Sequence, residues 1–249
     1  YRVWSRYHSL FRSMLQARLL IQLPLAEIRA LHHRAGQWLA EHGPLEEALH
    51  HLTGAGDIPA AVHLLEQQAQ DPLSQERWRD APHWLGLLPP HVIAEHPALL
   101  LLQAWGHYFN TRYAQLRMLA EQAQGLLENA ELHAPSAGEC SGKMCGMHQV
   151  LWGQIHAFKA SAAYSDLPFD EGMAHAHRAL ELLPPECGMV RAFVVNILAQ
   201  RLLVTESPAA AIRCIQQELE IVPINRVQAR LRRAGSSTAH SCARSSPGR

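Results

Sequence analysis

Hydrophobic residues recur along most of this chain at the spacing of α-helices, and the pattern is clearest between residues 154 and 185. One apolar stripe ends before a break at Asp166 and Pro168, and a second stripe runs on to Pro184. Helical periodicity on both sides of such a break predicts two helices that share one buried seam. The predicted seam comprises Ile155, Phe158, Ala162, Ala163, Met173, Ala176, Ala179, Leu180 and Leu183, whereas Glu171, His175, Arg178 and Glu181 are predicted to face away.

Small residues in this segment would let its two helices lie close together, as in a tetratricopeptide-like unit of about 34 residues. One such unit cannot bury its own faces, so similar hairpins must stack beside it. Residues 99–130 and 189–222 show comparable paired stripes. No stretch shows sustained period-two alternation between turns. We therefore predict an all-α fold, a helical hairpin array of the TPR-like superhelical solenoid type.

The chain before residue 95 shows shorter helical stripes that are separated by prolines and glycines. Asp57 follows a Gly-Ala-Gly turn and is predicted to cap a helix over 58–69. After residue 222 the apolar periodicity disappears and Ser, Arg and Gly dominate, which predicts disorder. We accordingly divide the chain into an N-terminal helix (1–23), a helical linker or arm region (24–94), a repeat domain (95–222) and a disordered basic tail (223–249).

Composition indicates a folded protein without a membrane segment. The 249 residues are 48% apolar, and 22 basic side chains balance 22 acidic ones. Five scattered cysteines with no secretory signal ahead of them favour reduced thiols and a cytoplasmic location. No uninterrupted apolar run reaches the roughly 18 residues that a membrane helix needs. Arginines of the tail either contact phosphates nonspecifically or are simply solvated.

The sequence holds few signs of chemistry. Seventeen histidines suggest metal binding, and the densest group is Cys140, Cys145 and His148 with His133 nearby. Its spacing matches no established zinc finger, so we predict no metal site. The adjacent histidines at 32–33 and 50–51 are predicted to point to different helix faces. No catalytic motif or complete phosphate loop is present, and we expect the chain not to be an enzyme.

Several short motifs follow one another in a fixed order over residues 1–222. They include Arg-Tyr-His-Ser-Leu-Phe-Arg at 6–12, His-His-Arg-Ala-x-x-Trp at 32–38, Trp-Leu-x-x-Leu-Pro at 84–89 and Ala-Leu-x-Leu-Leu-Pro at 179–184. In this order they resemble the MalT-type large ATP-binding LuxR regulators, which are signal-transduction ATPases with a helical-repeat sensor. The hairpin at 189–222 and the tail depart from the family pattern.

The resemblance implies that 1–23 is the end of a winged-helix domain and that 95–222 is the sensor. In this family a phosphate-loop ATPase precedes the region and a helix-turn-helix follows it. This chain contains neither, so we expect an internal part of a longer protein that has no cofactor of its own. ATP or ADP, self-association and DNA binding would then belong to the whole regulator. By the same resemblance His8 either contacts the phosphates of bound ADP or merely packs beside Tyr7.

These expectations lead to two hypotheses about function. In the first, the chain is the signal-receiving region of a transcriptional activator, binds an inducer metabolite or a regulatory protein, and controls ATP-dependent self-association. In the second, it is a stand-alone TPR-like scaffold for protein interactions. Stacked hairpins place their first helices along a concave wall. The candidate ligand residues on that wall, unless they are simply solvated, are His107, Tyr108, His156, Lys159, Asn196 and Gln200.

Overall fold

The computed structural model describes residues 8–69, 77–133, 142–162 and 169–221, and within these ranges it contains twelve α-helices and no β-strand. The predicted all-α array of helices is therefore confirmed. The helices are α1 (Ser9–Gln22), α2 (Leu25–His42), α3 (Leu45–Ala55), α4 (Ile58–Ala69), α5 (Arg77–Leu85), α6 (Pro90–Glu95), α7 (Pro97–Phe109), α8 (Tyr113–His133), α9 (Gly142–Ala162), α10 (Phe169–Leu182), α11 (Gly188–Thr205) and α12 (Pro208–Ile221).

Prolines, glycines and capping side chains set the helix boundaries. Pro97 lies in the first turn of α7, where its missing N–H removes no helical hydrogen bond. Gly56 ends α3 in the left-handed conformation, with a φ of 79°. Asp57 caps α4, because its carboxylate accepts a hydrogen bond from the Ala60 N–H at 3.2 Å. The predicted cap is thus confirmed.

Neighbouring helices pair as hairpins, namely α2 with α3, α7 with α8, α9 with α10 and α11 with α12. The α9–α10 pair is the hairpin that the sequence predicts over 154–185. Ala163 lies outside the described residues, as does the side chain of Ala162. Of the other predicted seam residues, Ile155, Phe158, Ala176, Ala179 and Leu183 are buried, and Met173 and Leu180 are partly buried against them.

The hairpins stack through their first helices, so that α7 contacts α9 and α9 contacts α11. Aromatic rings join these three helices. The ring centroid of Trp105 on α7 lies 4.5 Å from that of Phe158 on α9 and 5.0 Å from that of Phe193 on α11. The main hydrophobic core is consequently continuous across the three hairpins.

Helix α7 also joins this core to a second one nearer the N-terminus. Leu99 packs with Leu49 and Leu65 in the N-terminal core, whereas Leu101 and Leu102 belong to the main core. Helices α4, α5 and α6 all contact α7. The N-terminal helices therefore pack on the repeat region mainly through one shared helix.

Two glycines permit the closest helix contacts. A Cβ atom at Gly153 of α9 would lie 2.6 Å from Cγ of Leu183, just beyond the end of α10. A Cβ atom at Gly36 of α2 would lie 2.8 Å from Cδ2 of Leu52 on α3. Both distances are shorter than carbon–carbon contacts allow. The hairpins approach closely because no side chain is present at these two positions.

The structure differs from the sequence prediction at α1 and α2. The apolar stripe of α1 is solvent-exposed, with Leu10 at 76% and Leu20 at 65% exposure. In α2, Leu31 and Trp38 are 37% and 43% exposed, although both belong to the apolar stripe of this helix, which helical periodicity predicts to be buried. The physical reason is that α2 packs mainly on α3, which covers a narrower stripe than the apolar residues of α2 form.

Within the described part of the chain, α11 alone is long and apolar enough to cross a membrane by length and composition. The sequence analysis expected no such segment. The helix packs against α9, α10 and α12 and contributes Val190, Val194 and Leu198 to the main core. A core helix of this kind passes the same test of length and composition.

A buried glutamine links α4, α7 and α9. Gln154 is fully buried. Its Oε1 accepts a hydrogen bond from the Trp105 indole N–H at 2.9 Å, and its Nε2 donates to the Ala69 carbonyl at 2.9 Å. A buried polar group that loses its partner destabilises the fold. Gln154 therefore satisfies two groups that would otherwise be unpaired in the core.

We expect the substitution Gln154→Leu to lower the free energy of unfolding by about 1–3 kcal/mol, because the indole N–H and the carbonyl lose their partner. Urea unfolding followed by circular dichroism measures the change. Gln149→Leu is the matched control, since Gln149 is exposed on the same helix. Equal stability of the two variants would show that the buried hydrogen bonds contribute nothing.

Candidate ligand-binding cleft

An open cleft of about 620 Å³ lies where α5, α6, α7 and α8 meet. Its volume falls in the range of roughly 300–1,000 Å³ that small-molecule sites occupy. Leucine, isoleucine and proline side chains form half of its lining. The polar residues of the lining are Gln103, His107, Asn110, Arg112 and Gln122.

The polar residues are held by α7, α8 and the turn between them. Gln103 and His107 lie one turn apart on α7. After the C-terminal end of α7, the Asn110 side chain donates a hydrogen bond to the Gly106 carbonyl at 2.8 Å. The Arg112 backbone N–H donates to the His107 carbonyl at 2.9 Å. Gln122 of α8 donates to the Ala94 carbonyl at 3.3 Å. These bonds position the polar wall of the cleft.

The electrostatics of the cleft are dominated by one cation. Arg112 is the only residue with a full charge among the described lining residues, and no carboxylate lines the cleft. Burial, and then the charge of Arg112, lower the pKa of His107. A neutral imidazole offers one hydrogen-bond donor and one acceptor. The cleft can therefore bind a ligand by hydrogen bonds and a single positive charge.

Among the residues that the sequence predicts as ligand contacts, only His107 lines this cleft. Tyr108 was predicted to face outward, but its ring is half-buried and its centroid lies 5.0 Å from that of Phe193. Consecutive residues on a helix point in directions about 100° apart. His107 and Tyr108 therefore contribute to different surroundings.

His156 does not face a common ligand surface with them. It is half-buried, and its Nδ1 lies 2.9 Å from Nδ1 of His175 on α10. His175 was predicted to face away from the seam, and this prediction is wrong. Burial, followed by the nearby His175, Lys159 and Arg178, lowers the pKa of His156 to about 4. Lys159 is half-buried on the same helix.

The remaining candidates lie apart. Asn196 and Gln200 are exposed on α11. His8 is exposed immediately before α1, and its side chain makes no capping hydrogen bond. Tyr7, against which His8 was alternatively predicted to pack, lies outside the described residues. The six predicted ligand residues thus do not line one cavity in the described structure.

Histidines elsewhere make pairwise contacts. Nε2 of His148 lies 3.2 Å from Oε1 of Glu131, and Nδ1 of His33 lies 3.0 Å from Oδ2 of Asp57. The rings of His32 and His51 face each other across α2 and α3 with centroids 4.9 Å apart. Cys140 and the side chain of Cys145 lie outside the described residues. No group of three or more metal-ligating side chains occurs in the part of the chain that the structure covers.

A buried ion pair that the sequence analysis missed joins α10, α11 and α12. Arg191 donates through Nε and Nη2 to the carboxylate of Glu218, with an Nη2–Oε2 distance of 2.9 Å. Its Nη1 donates to the carbonyls of Leu180, at 2.7 Å, and Leu183. Two features of the sequence could have indicated this pair. One is the lone arginine in the apolar stretch of α11, and the other is the glutamate on the buried stripe of α12.

The chain is similar to curated proteins that carry the name HTH-type transcriptional regulator MalT. The regulator of Yersinia pestis (strain Pestoides F) is 29% identical over 182 residues, which is 73% of this chain. The regulator of Klebsiella pneumoniae subsp. pneumoniae is 31% identical over 182 residues. The chain is a relative of the MalT-type transcriptional regulators. No protein-family model and no solved structure matches it.

The chain spans 18% of the length of the MalT regulators that it matches. It is therefore similar to one region of those regulators, and the resemblance inferred from short motifs is confirmed. In this chain the matched region is an all-α array in which helix α7 is shared by two cores. It also contains two buried polar networks, around Gln154 and around Arg191.

The histidine pair predicts acid sensitivity. Because the pKa of folded His156, about 4, is below the 6.5 of the unfolded chain, its contribution to stability is present above pH 6.5 and is lost as pH falls toward 4. His156→Gln should weaken this pH dependence, since an amide keeps a hydrogen-bonding group at this position without titrating. Thermal unfolding across this pH range measures the effect. His91→Gln, at an exposed position of α6, should leave the pH dependence of the parent chain unchanged.

The ion pair predicts a large effect of removing one partner. Arg191→Met should lower the free energy of unfolding by about 3–5 kcal/mol, because the carboxylate of Glu218 stays buried without a counterion. The double variant Arg191→Met, Glu218→Leu should recover most of the loss. Arg178→Met removes the exposed pair with Glu181 and should cost less than about 1 kcal/mol. Urea unfolding would refute the assignment if Arg191→Met and Arg178→Met were equally stable.

Proposed function

We propose that this chain is the signal-sensing and regulatory helical-repeat region of a MalT-type transcriptional activator in the cytoplasm. In this proposal it binds an inducer metabolite or a partner protein and thereby controls the ATP-dependent self-association of the regulator. ATP or ADP binds elsewhere in the regulator, with His8 near its phosphates, and DNA is contacted by a helix-turn-helix outside this chain. The role of the chain itself is binding and transmission, without catalysis.

The observation that carries the proposal is the continuous aromatic contact between successive hairpins in a relative of transcriptional regulators. Trp105 touches the rings of both Phe158 and Phe193, so α7, α9 and α11 share one packed seam. Hairpins that share a core cannot move independently without losing these contacts. A ligand that favours one arrangement of the stack therefore biases all of it.

The genomic sequence on either side of the coding region provides a first test. We expect an open reading frame that continues in frame and encodes a phosphate-loop ATPase before this region and a helix-turn-helix after it. A reading frame that encodes neither would remove the regulatory proposal and favour a stand-alone interaction scaffold.

Sedimentation velocity of the encoded regulator, with ATP and with ADP, provides the second test. We expect association with ATP that depends on the repeat region. Phe193→Ala should promote association without inducer, because it loosens the seam that connects α7 to α11. Met118→Ala, at a position 60% exposed on α8, is the control and should sediment like the parent protein. Indistinguishable behaviour of the two variants would contradict transmission through the inner helices.

A further inference from the structure

We propose that the cleft between α5, α6, α7 and α8 binds a small molecule with one carboxylate and an apolar body. This inference deepens the proposed function, because it names a ligand class for a sensor region. Only the regulatory effect of the ligand depends on the proposed function. The binding itself follows from the size, lining and charge of the cleft.

The lining combines apolar side chains with a polar group at the turn after α7, and the amides of Gln103 and Gln122 add hydrogen-bonding groups elsewhere along it. Leu85, Leu102 and Leu119 come from three different helices and give the cleft an apolar surface. The hydrogen-bonding groups of Asn110 and Arg112 lie together at the turn after α7. A ligand that fills such a cleft needs an apolar body and a polar group at one end.

The charge of the cleft selects the polar group. A guanidinium binds a carboxylate through two parallel hydrogen bonds, and Arg112 is the one full charge on the described lining. Among the described lining residues there is no acidic side chain that would repel a carboxylate. His107 and Asn110 supply further hydrogen-bonding groups beside it. A single negative charge therefore matches the site, whereas a dianion would exceed its positive charge.

The position of the cleft gives the ligand a structural effect. Its walls come from α5 and α6 on one side and from α7 and α8 on the other. Helix α7 is also where the N-terminal core meets the main core. A bound ligand would hold these elements together, and it would stabilise the arrangement in which the walls are correctly spaced.

A substitution at Gly106 can fill the cleft without replacing any of its polar side chains. A Cβ atom there would have no neighbour closer than 3.9 Å among the atoms outside its own helix. Gly106 lines the cleft, so the longer side chain of Gly106→Leu would occupy the space of the ligand. Leucine also favours the helix more than glycine does, which supports folding of the variant.

Isothermal titration calorimetry of the 249-residue chain with octanoate tests the proposal. We expect saturable one-to-one binding below the micelle-forming concentration. Acetate and 1-octanol should bind much more weakly, because acetate lacks the apolar chain and 1-octanol lacks the carboxylate. Arg112→Gln should weaken octanoate binding about tenfold or more, since a charge-assisted hydrogen bond is lost. Arg213→Gln, at an exposed position of α12, is the matched control and should bind like the parent chain.

Gly106→Leu should abolish octanoate binding while its circular dichroism spectrum stays unchanged. Octanoate and 1-octanol of equal affinity, or an Arg112→Gln variant that binds normally, would overturn the proposal. So would multiple weak sites that persist in a folded Gly106→Leu variant, because they indicate adsorption to exposed apolar surface. Failure of octanoate to bind would remove this site and leave ATP-dependent self-association untouched. Binding with no effect on self-association would instead leave the site and remove its regulatory role.

Discussion

The buried indole of Trp105 imposes the constraint on which the stack of hairpins depends. Its ring is completely inaccessible to solvent and touches rings from α9 and α11, while its N–H requires a hydrogen-bond acceptor inside the core. Gln154 supplies that acceptor and is itself held by a carbonyl at the end of α4. Four helices must therefore take one relative arrangement before the buried polar groups of Trp105 and Gln154 are satisfied.

A second polar junction acts in the same way further along the chain. Arg191 donates to the carbonyls of Leu180 and Leu183, three residues apart at the end of the α9–α10 hairpin, and it pairs with Glu218 of the next hairpin. Apolar seams between helices tolerate small shifts, because one alkyl contact replaces another at similar energy. A buried hydrogen bond has a narrower geometry. The two polar junctions thus define the register of the stack more strictly than its apolar contacts do.

The functional features lie beside these rigid junctions. The cleft is lined by α7, the helix that also carries Trp105, so a ligand there would contact a helix that is fixed to the rest of the array. The relatives of this chain carry the name of transcriptional regulators, and under the proposed function a signal would pass from this region to the rest of the protein. A helix shared by two cores is suited to such transmission, because neither core can shift without moving it.

The sequence by itself determined the local features of this protein. The all-α class, the hairpin over 154–185, the Asp57 cap and the family resemblance all followed from periodicity, turn residues and short motifs. Each depends on residues that are close in the chain. One residue of the cleft was also within reach, since His107 was recognised as a candidate, but its association with Arg112, Gln122 and α5 was not.

The tertiary structure alone decided which faces are covered and which polar groups meet. Leu10 and Trp38 belong to clear apolar stripes and are nevertheless exposed, whereas Gln154 is polar and is fully buried. Gln154 reaches a carbonyl 85 residues away in the chain, and Glu218 meets an arginine 27 residues away. These contacts arise from the way in which whole hairpins stack. Periodicity describes one helix at a time, so it does not contain this information.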